Sequence, residues 1–135
     1  MNTAISNSSD REGTQQKYSE DQIRQYLHEI KIFIQKYSKR EVGKGSDEIK
    51  TNYCEDMIIF RGHGFLTEPE KYIAQTSSGR KMIRVSRMEA LKRFSVYFLN
   101  ILESKFKAKV IYDFYDIKPE KDFWIRVVVF DRNLI

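Results

Sequence analysis

The segment Arg80 to Lys107, which contains no glycine or proline, sets the strongest limit on how the sequence can fold. Apolar side chains recur inside it at spacings of three and four residues, a period that lays them along one face of an α-helix. These side chains are Leu91, Phe94, Phe98 and Ile101. A helix of this length has to bury its apolar stripe against a second layer, which the rest of the chain must supply.

Four extended segments, grouped as two hairpins, are the predicted second layer. Residues 48–53 and 57–61 are separated by a short polar connection at 54–56. β-Branched and aromatic residues at 110–115 and 123–130 flank a charged loop at 116–122 that contains Pro119. Each pair of segments therefore reads as an antiparallel hairpin.

Two further helices are marked by capping boxes. Ser19 and Gln22 begin a helix that is predicted to end near Lys39, and Thr67 and Glu70 begin a short one. The predicted fold is α+β with two layers, in the order α-β-β-α-α-β-β. An antiparallel sheet built from two β-hairpins packs against the long helix.

Glycines and composition set the predicted boundaries. Structural turns are expected at Gly43 and Gly45, after the first helix, and at Gly62 and Gly64, after the second strand. Residues 1–18 are rich in Asn, Ser, Gln and Thr, which predicts a disordered N-terminal tail. Residues 19–135 are then expected to form a single domain.

Several classes of protein are disfavoured by what the sequence lacks. No apolar run approaches the roughly 18 to 20 residues of a membrane span, and no signal segment is evident at the N-terminus. The lone Cys54 excludes an internal disulfide and fits a reducing compartment, so we expect a cytoplasmic protein.

Candidate catalytic and metal-binding residues are sparse. The only histidines are His28 and His63, and His63 lies about 20 Å along the predicted strand from Cys54 at about 3.3 Å per residue. Three scattered Cys and His residues do not make a zinc site. The sequence therefore predicts no catalytic residues, no cofactor and no metal, and the protein is not expected to be an enzyme.

The most informative charges lie on the long helix. Residues 77–109 carry nine basic and two acidic residues, a net charge of +7 that exceeds the +5 of the whole chain. Arg80, Arg84 and Arg87 continue the apolar stripe toward the helix N-terminus, where the helix dipole opposes cations. Something negative should face them. Two alternatives stay open: an acidic group of the same fold or of another subunit, or an external anion or partner bound by these arginines and Gly79.

Several short motifs resemble those of the MpsC family, small bacterial proteins named for the sodium-translocating, membrane-potential-generating system. The similarity runs from about Gln22 to Asp131. It rests on Gly43-Lys44-Gly45, Glu55-Asp56-Met57-Ile58-Ile59, Gly64-Phe65-Leu66-Thr67 with Glu70, Gly79-Arg80 with Arg87, and Val129-Phe130-Asp131.

The resemblance implies a non-enzymatic accessory or regulatory protein of a bacterial membrane ion or inorganic-carbon transport system. Its partners would be membrane transporter subunits, reached from the cytoplasm or the inner face of the membrane, and a homo-oligomer stays open. The alternative is a small-anion or nucleic-acid binding module that uses the basic helix. Nucleic acid is the less favoured ligand, because no helix-turn-helix, zinc-finger or RNP pattern is present.

Overall fold

The first helix begins where the sequence predicts. A computed structural model describes residues 17–135, and its first helix, α1, spans Glu20–Glu41. The Ser19 hydroxyl accepts from the Gln22 backbone N–H, while the Gln22 side chain accepts from the Ser19 backbone N–H. The apolar stripe of α1 is buried, and it consists of Ile23, Leu27, Ile30 and Ile34.

Four antiparallel strands form one sheet in the order β1-β2-β4-β3. The strands are β1 (Glu48–Cys54), β2 (Met57–His63), β3 (Val110–Lys118) and β4 (Phe123–Phe130). Each predicted hairpin is present, and the two hairpins join through β2 and β4. The predicted α+β fold and its element order are confirmed.

Two helices connect the hairpins. They are the short α2 (Glu68–Ile73) and the long α3, which spans Ser77–Phe106 and so begins earlier than the predicted Arg80. Thr76 is the N-cap, because its hydroxyl accepts from the Gly79 backbone N–H. Gly79 therefore lies in the first turn of α3 and not in a loop before it. A Cβ at Gly79 would lie 1.8 Å from the Ile73 carbonyl oxygen, so the absence of a side chain lets α2 abut α3.

The core lies between the two long helices and one face of the sheet. Phe94 and Phe98 are buried as predicted, and the stripe continues through Leu102 and Phe106, whereas Ile101 is only half-buried. Phe98 packs edge to face on Phe60 of β2, with ring centroids 5.2 Å apart. Aromatic contacts of this kind stabilise a core beyond the area that they bury.

Two predicted boundaries are corrected by packing. Tyr18 is buried and donates its backbone N–H to the Leu134 carbonyl at 2.7 Å, so the fold begins before Ser19. The remainder of the predicted tail, residues 1–16, lies outside the described residues. Strand β3 runs through the predicted loop as far as Lys118, because Ile117 is buried against the helices.

Gly62 is not a turn residue. It lies inside β2, where the Trp124 indole of β4 covers it so closely that a Cβ would lie 2.0 Å from the ring nitrogen. The glycines that do adopt turn conformations are Gly43 (φ +94°) and Gly64 (φ +70°). Gly45 is buried in the connection between α1 and β1.

Candidate functional site

Arg87 is bound to an acidic side chain of the same fold. Its guanidinium donates two hydrogen bonds to the Glu70 carboxylate, of 2.9 and 2.7 Å, and a third of 2.8 Å to the Phe65 carbonyl. The guanidinium also lies over the Phe65 ring, 5.1 Å from its centroid. Only 12% of the Arg87 side chain and 19% of the Glu70 side chain are exposed, so this is a largely buried, bidentate ion pair.

Glu70 joins this pair to the start of α2. The capping box predicted at Thr67 is present, because the Thr67 backbone N–H and hydroxyl both donate to the Glu70 carboxylate. Burial raises the pKa of Glu70, but the hydrogen bonds from Arg87 and Thr67 outweigh burial and leave the pKa below its usual range. The carboxylate therefore stays ionised and holds the loop, α2 and α3 together.

Arg84 also has an internal acidic partner. Its guanidinium pairs with the Asp116 carboxylate of β3 and donates to the Ile117 carbonyl. Burial raises the pKa of Asp116, but the hydrogen bond and charge of Arg84 and the backbone N–H of Ile117 together outweigh burial and leave the pKa below its usual range. Both side chains are 43% exposed, so this pair is worth much less than the one between Arg87 and Glu70.

Arg80 differs from the other two arginines. It donates to the Ala74 carbonyl at 2.9 Å, and no carboxylate of residues 17–135 forms an ion pair with it. The first alternative from the sequence, an acidic group of the same fold, therefore describes Arg84 and Arg87. Arg80 keeps its formal charge at the corner where α2 meets α3.

A cleft of about 530 Å³ lies between α1, the first half of α3 and the adjoining end of the sheet. Its apolar lining includes Ile34, Tyr37, Leu91, Phe94 and Trp124. Segments that are distant in the sequence meet at this cleft and correspond to the motifs of the sequence analysis: Lys44, Gly45, Phe65 and Arg87. Its volume is in the range of pockets that hold small ligands.

One end of the cleft is held by backbone and side-chain hydrogen bonds. The ammonium group of Lys44 binds the Asp47 carboxylate at 2.9 Å and the Gly64 carbonyl. The hydrogen bond and charge of Lys44 hold the pKa of Asp47 below its usual range. Asp122 accepts from the backbone N–H groups of Phe65 and Leu66 at 2.8 and 2.9 Å. These hydrogen bonds hold together the three connections that meet here, which join α1 to β1, β2 to α2 and β3 to β4.

Arg126 is a buried charge that the sequence analysis did not single out. It is 3% exposed, forms two hydrogen bonds with Asp113, and lies between the rings of Phe98 and Tyr115. A third hydrogen bond goes to the Ser95 hydroxyl at 2.8 Å, while Nη1 is buried without a partner. An arginine at an inward position of an otherwise apolar strand is the signal that was available in the sequence.

The residues considered for catalysis do not converge. Cys54 is exposed beside the turn of the first hairpin, and His63 is at the other end of that hairpin, in register with Glu48. His28 is exposed on α1. Within residues 17–135, no group of three or more His, Cys, Asp or Glu side chains is arranged to bind a metal ion.

No helix in the described part of the chain combines the length and apolar character needed to cross a bilayer.

Comparison with known proteins gives one family. The family model described as "Na+-translocating membrane potential-generating system (MpsC)" matches residues 22–132. The chain is 33% identical over 109 residues to "Uncharacterized protein YrhF" of Bacillus subtilis (strain 168), an alignment that covers 80% of this chain and 89% of that protein. No solved structure matches the chain.

Proposed function

The chain belongs to the MpsC family, and from this premise we propose that it is a non-enzymatic accessory protein of the Na⁺-translocating, membrane potential-generating system. Membership of this family suggests an association with that system. The observation that supports the proposal most is how much of the chain the family model covers. Residues 22–132 include all three helices and all four strands except the first two residues of α1. The family match therefore covers the whole domain and is not confined to one motif.

The corner where α2 meets α3 is the surface that we assign to the partner. No carboxylate of the described residues forms an ion pair with Arg80 there, and Lys81 next to it is exposed. Three large apolar side chains on the same two helices are also exposed: Tyr72 (76%), Met82 (67%) and Val85 (72%). A surface that combines apolar side chains with unpaired cations suits an acidic partner segment that carries apolar anchors.

This assignment narrows the one made from the sequence. We no longer assign Arg84 and Arg87 to the partner, because Asp116 and Glu70 already neutralise their charges. Lys81 and the exposed apolar residues take their place as proposed partner contacts. Gly79 contributes by allowing α2 to lie against α3. The proposed location is the cytoplasmic face of the membrane, where such a protein reaches transporter subunits.

Co-purification tests the proposal. The full chain, carrying an affinity tag, is expressed with the membrane subunits of the system, and the detergent-solubilised subunits retained by it are identified. The variant R80E/K81E should lose most of the retained subunits and change its melting temperature only slightly, because it loses one hydrogen bond, from Arg80 to the Ala74 carbonyl, and no ion pair within residues 17–135. The matched control is K36E/K39E, which reverses two exposed lysines of α1.

Two results would contradict the proposal. One is that the unaltered chain retains no membrane subunit even at low salt. The other is that R80E/K81E and K36E/K39E retain the subunits equally well. Tight binding of DNA, RNA or inorganic phosphate with a steep salt dependence would instead favour the alternative of an anion-binding module.

A further inference from the structure

On the face of the sheet opposite the helices, half of the paired outward positions are apolar, and no described helix packs over them. The other positions are polar or charged, and they include Arg61 and His63 on β2. We refer to this face as the outer face. Alternation along the strands places eight apolar side chains on it: Met57, Ile59, Tyr112, Phe114, Phe123, Ile125, Val127 and Val129. None of them belongs to the buried core, and Tyr112 and Phe114 are 57% and 63% exposed.

Strand β4 shows how unusual this face is. An antiparallel sheet with one face in water normally alternates apolar and polar residues along each strand. In β4 every outer position is apolar. Four strands about 4.8 Å apart, with about seven residues each at about 3.3 Å, give the outer face a projected area of about 440 Å². Apolar side chains occupy about half of this area, and they form a continuous strip along β4 and the adjoining parts of β2 and β3 that a partner would bury.

Charges at the two edges of the outer face are complementary to each other. The strand register places Glu48, His63, Phe123 and Lys118 in one row across the sheet. Glu48, at the β1 edge, and Lys118, at the β3 edge, are both exposed, and neither forms an ion pair within residues 17–135. The next row begins with Lys50 at the β1 edge and ends with Asp116 at the β3 edge.

We propose that the outer face binds the outer face of a second copy of this chain. The twofold axis lies parallel to the strands, between β2 and β4. This axis sets β1 of one copy against β3 of the other, so that Glu48 faces Lys118 of the second copy at each edge. Lys50 then faces Asp116 of the second copy, but this carboxylate is already paired with Arg84 of its own chain, so the charge attraction rests on Glu48 and Lys118. Ile59 then packs on Val127 of the second copy in the centre, and the two sheets form an aligned sandwich.

The other in-plane twofold axis, perpendicular to the strands, fits poorly. It sets each strand against the same strand of the second copy. Lys50 then meets Asn52 of the second copy, Arg61 meets Ile59 of the second copy, and Lys118 meets Tyr112 of the second copy. Glu48 and Lys118 then lose their opposite-charge partners, which removes the attraction at the edges. Arg61 faces an apolar residue with either axis, Ile59 with this one and Ile125 with the parallel one, so it does not distinguish the two. Only the axis parallel to the strands pairs opposite charges at both edges.

The area agrees with a specific dimer of modest affinity. Two outer faces together provide a projected area of about 900 Å², and the accessible area is larger because side chains roughen the surface. Specific interfaces begin at about 1,000 Å² in total. We therefore expect a dimer that dissociates on dilution within the micromolar range.

Sedimentation velocity of the full chain from about 1 to about 500 µM is the first test. The unaltered chain should shift from monomer to dimer across this range. V127E places a carboxylate on each side of the centre and should weaken dimerisation by more than 100-fold. The control V96E makes the same change on α3, where Val96 is 62% exposed, and should dimerise normally. A chain that stays monomeric at every concentration, or V96E weakened as much as V127E, overturns the proposal.

A charge exchange is the second test, and it does not depend on how V127E folds. E48K and K118E each set like charges against each other at both ends of the interface and should each weaken the dimer by about 10-fold. The double variant E48K/K118E restores opposite charges and should recover the affinity of the unaltered chain. If the two single effects simply add in the double variant, the two residues do not face each other and the proposed arrangement is wrong.

Discussion

Replacing Arg87 by methionine should destabilise the fold strongly, because it removes one member of a largely buried ion pair. Methionine retains most of the side-chain volume and removes the two hydrogen bonds to Glu70 and the one to the Phe65 carbonyl. The Glu70 carboxylate then stays buried with only the capping groups of Thr67 as partners. Breaking a buried pair from one side costs about 3 to 5 kcal/mol, and the residual exposure of this pair places the expected loss at about 3 kcal/mol.

Urea denaturation measures this loss as a change in the free energy of unfolding at unchanged m-value. The expected fall in melting temperature is about 12 °C, at about 4 °C for each kcal/mol in a domain of this size. The matched control is R93M, on the same helix, because Arg93 is exposed and forms no ion pair within residues 17–135. R93M should change the free energy of unfolding by less than about 0.5 kcal/mol.

A second variant separates the lost pair from lost packing. In E70Q/R87M the glutamine still accepts from Thr67, but no charge remains buried, so the double variant should be more stable than R87M alone. The reasoning is refuted if R87M is as stable as R93M, or if adding E70Q to R87M lowers its stability further.

The same pair fixes a pH dependence. Because the folded-state pKa of Glu70 lies below its unfolded value, the pair stabilises the fold fully above the unfolded pKa and loses this contribution as pH falls through the folded pKa. In R87M the partner that lowers this pKa is absent, and protonation of Glu70 relieves the buried charge. The difference in unfolding free energy between the unaltered chain and R87M should therefore shrink as the solution is acidified below about pH 4. A difference that is constant with pH would contradict this.

Two further substitutions test the helix ends. G79A should lower the free energy of unfolding in urea by more than about 2 kcal/mol, because the new Cβ would lie 1.8 Å from the Ile73 carbonyl oxygen and the backbone of one helix would have to move. A loss below about 0.5 kcal/mol would show that the contact between α2 and α3 is loose. K107G should instead raise the free energy of unfolding by about 0.5 to 1 kcal/mol, because Lys107 is exposed and caps α3 in the left-handed conformation (φ +49°) that glycine adopts without strain. An unchanged or lower free energy of unfolding would refute this reading of the cap.

Local signals in the sequence located most of the elements. The capping boxes at Ser19 and Thr67 mark the starts of α1 and α2, and apolar spacing marks α3, because these signals act between residues within one helical turn. Gly62 shows where local reasoning fails. A glycine two residues before a second glycine predicts a turn, and only the position of Trp124, far along the chain, shows that Gly62 makes room for a ring.

The three arginines of α3 show the same limit for the candidate site. Their spacing on one helix face indicates that negative groups should face them, and that expectation depends only on the helix period and dipole. Which groups face them depends on the loop after β2 and on the register of β3, which place Glu70 and Asp116 within reach. Arg80, at the corner between α2 and α3, donates a hydrogen bond to the Ala74 backbone carbonyl and has no acidic partner among residues 17–135.

The sequence by itself determined the element types, their order and the family, since periodicity, capping and short motifs are written in neighbouring residues. Only the tertiary structure decided the strand order and the acidic partners of Arg84 and Arg87. It also decided that Arg126 is buried and that one face of the sheet is left uncovered. The physical reason is that each of these depends on which hairpin edge lies beside which, and no interaction between residues close in the chain specifies that choice.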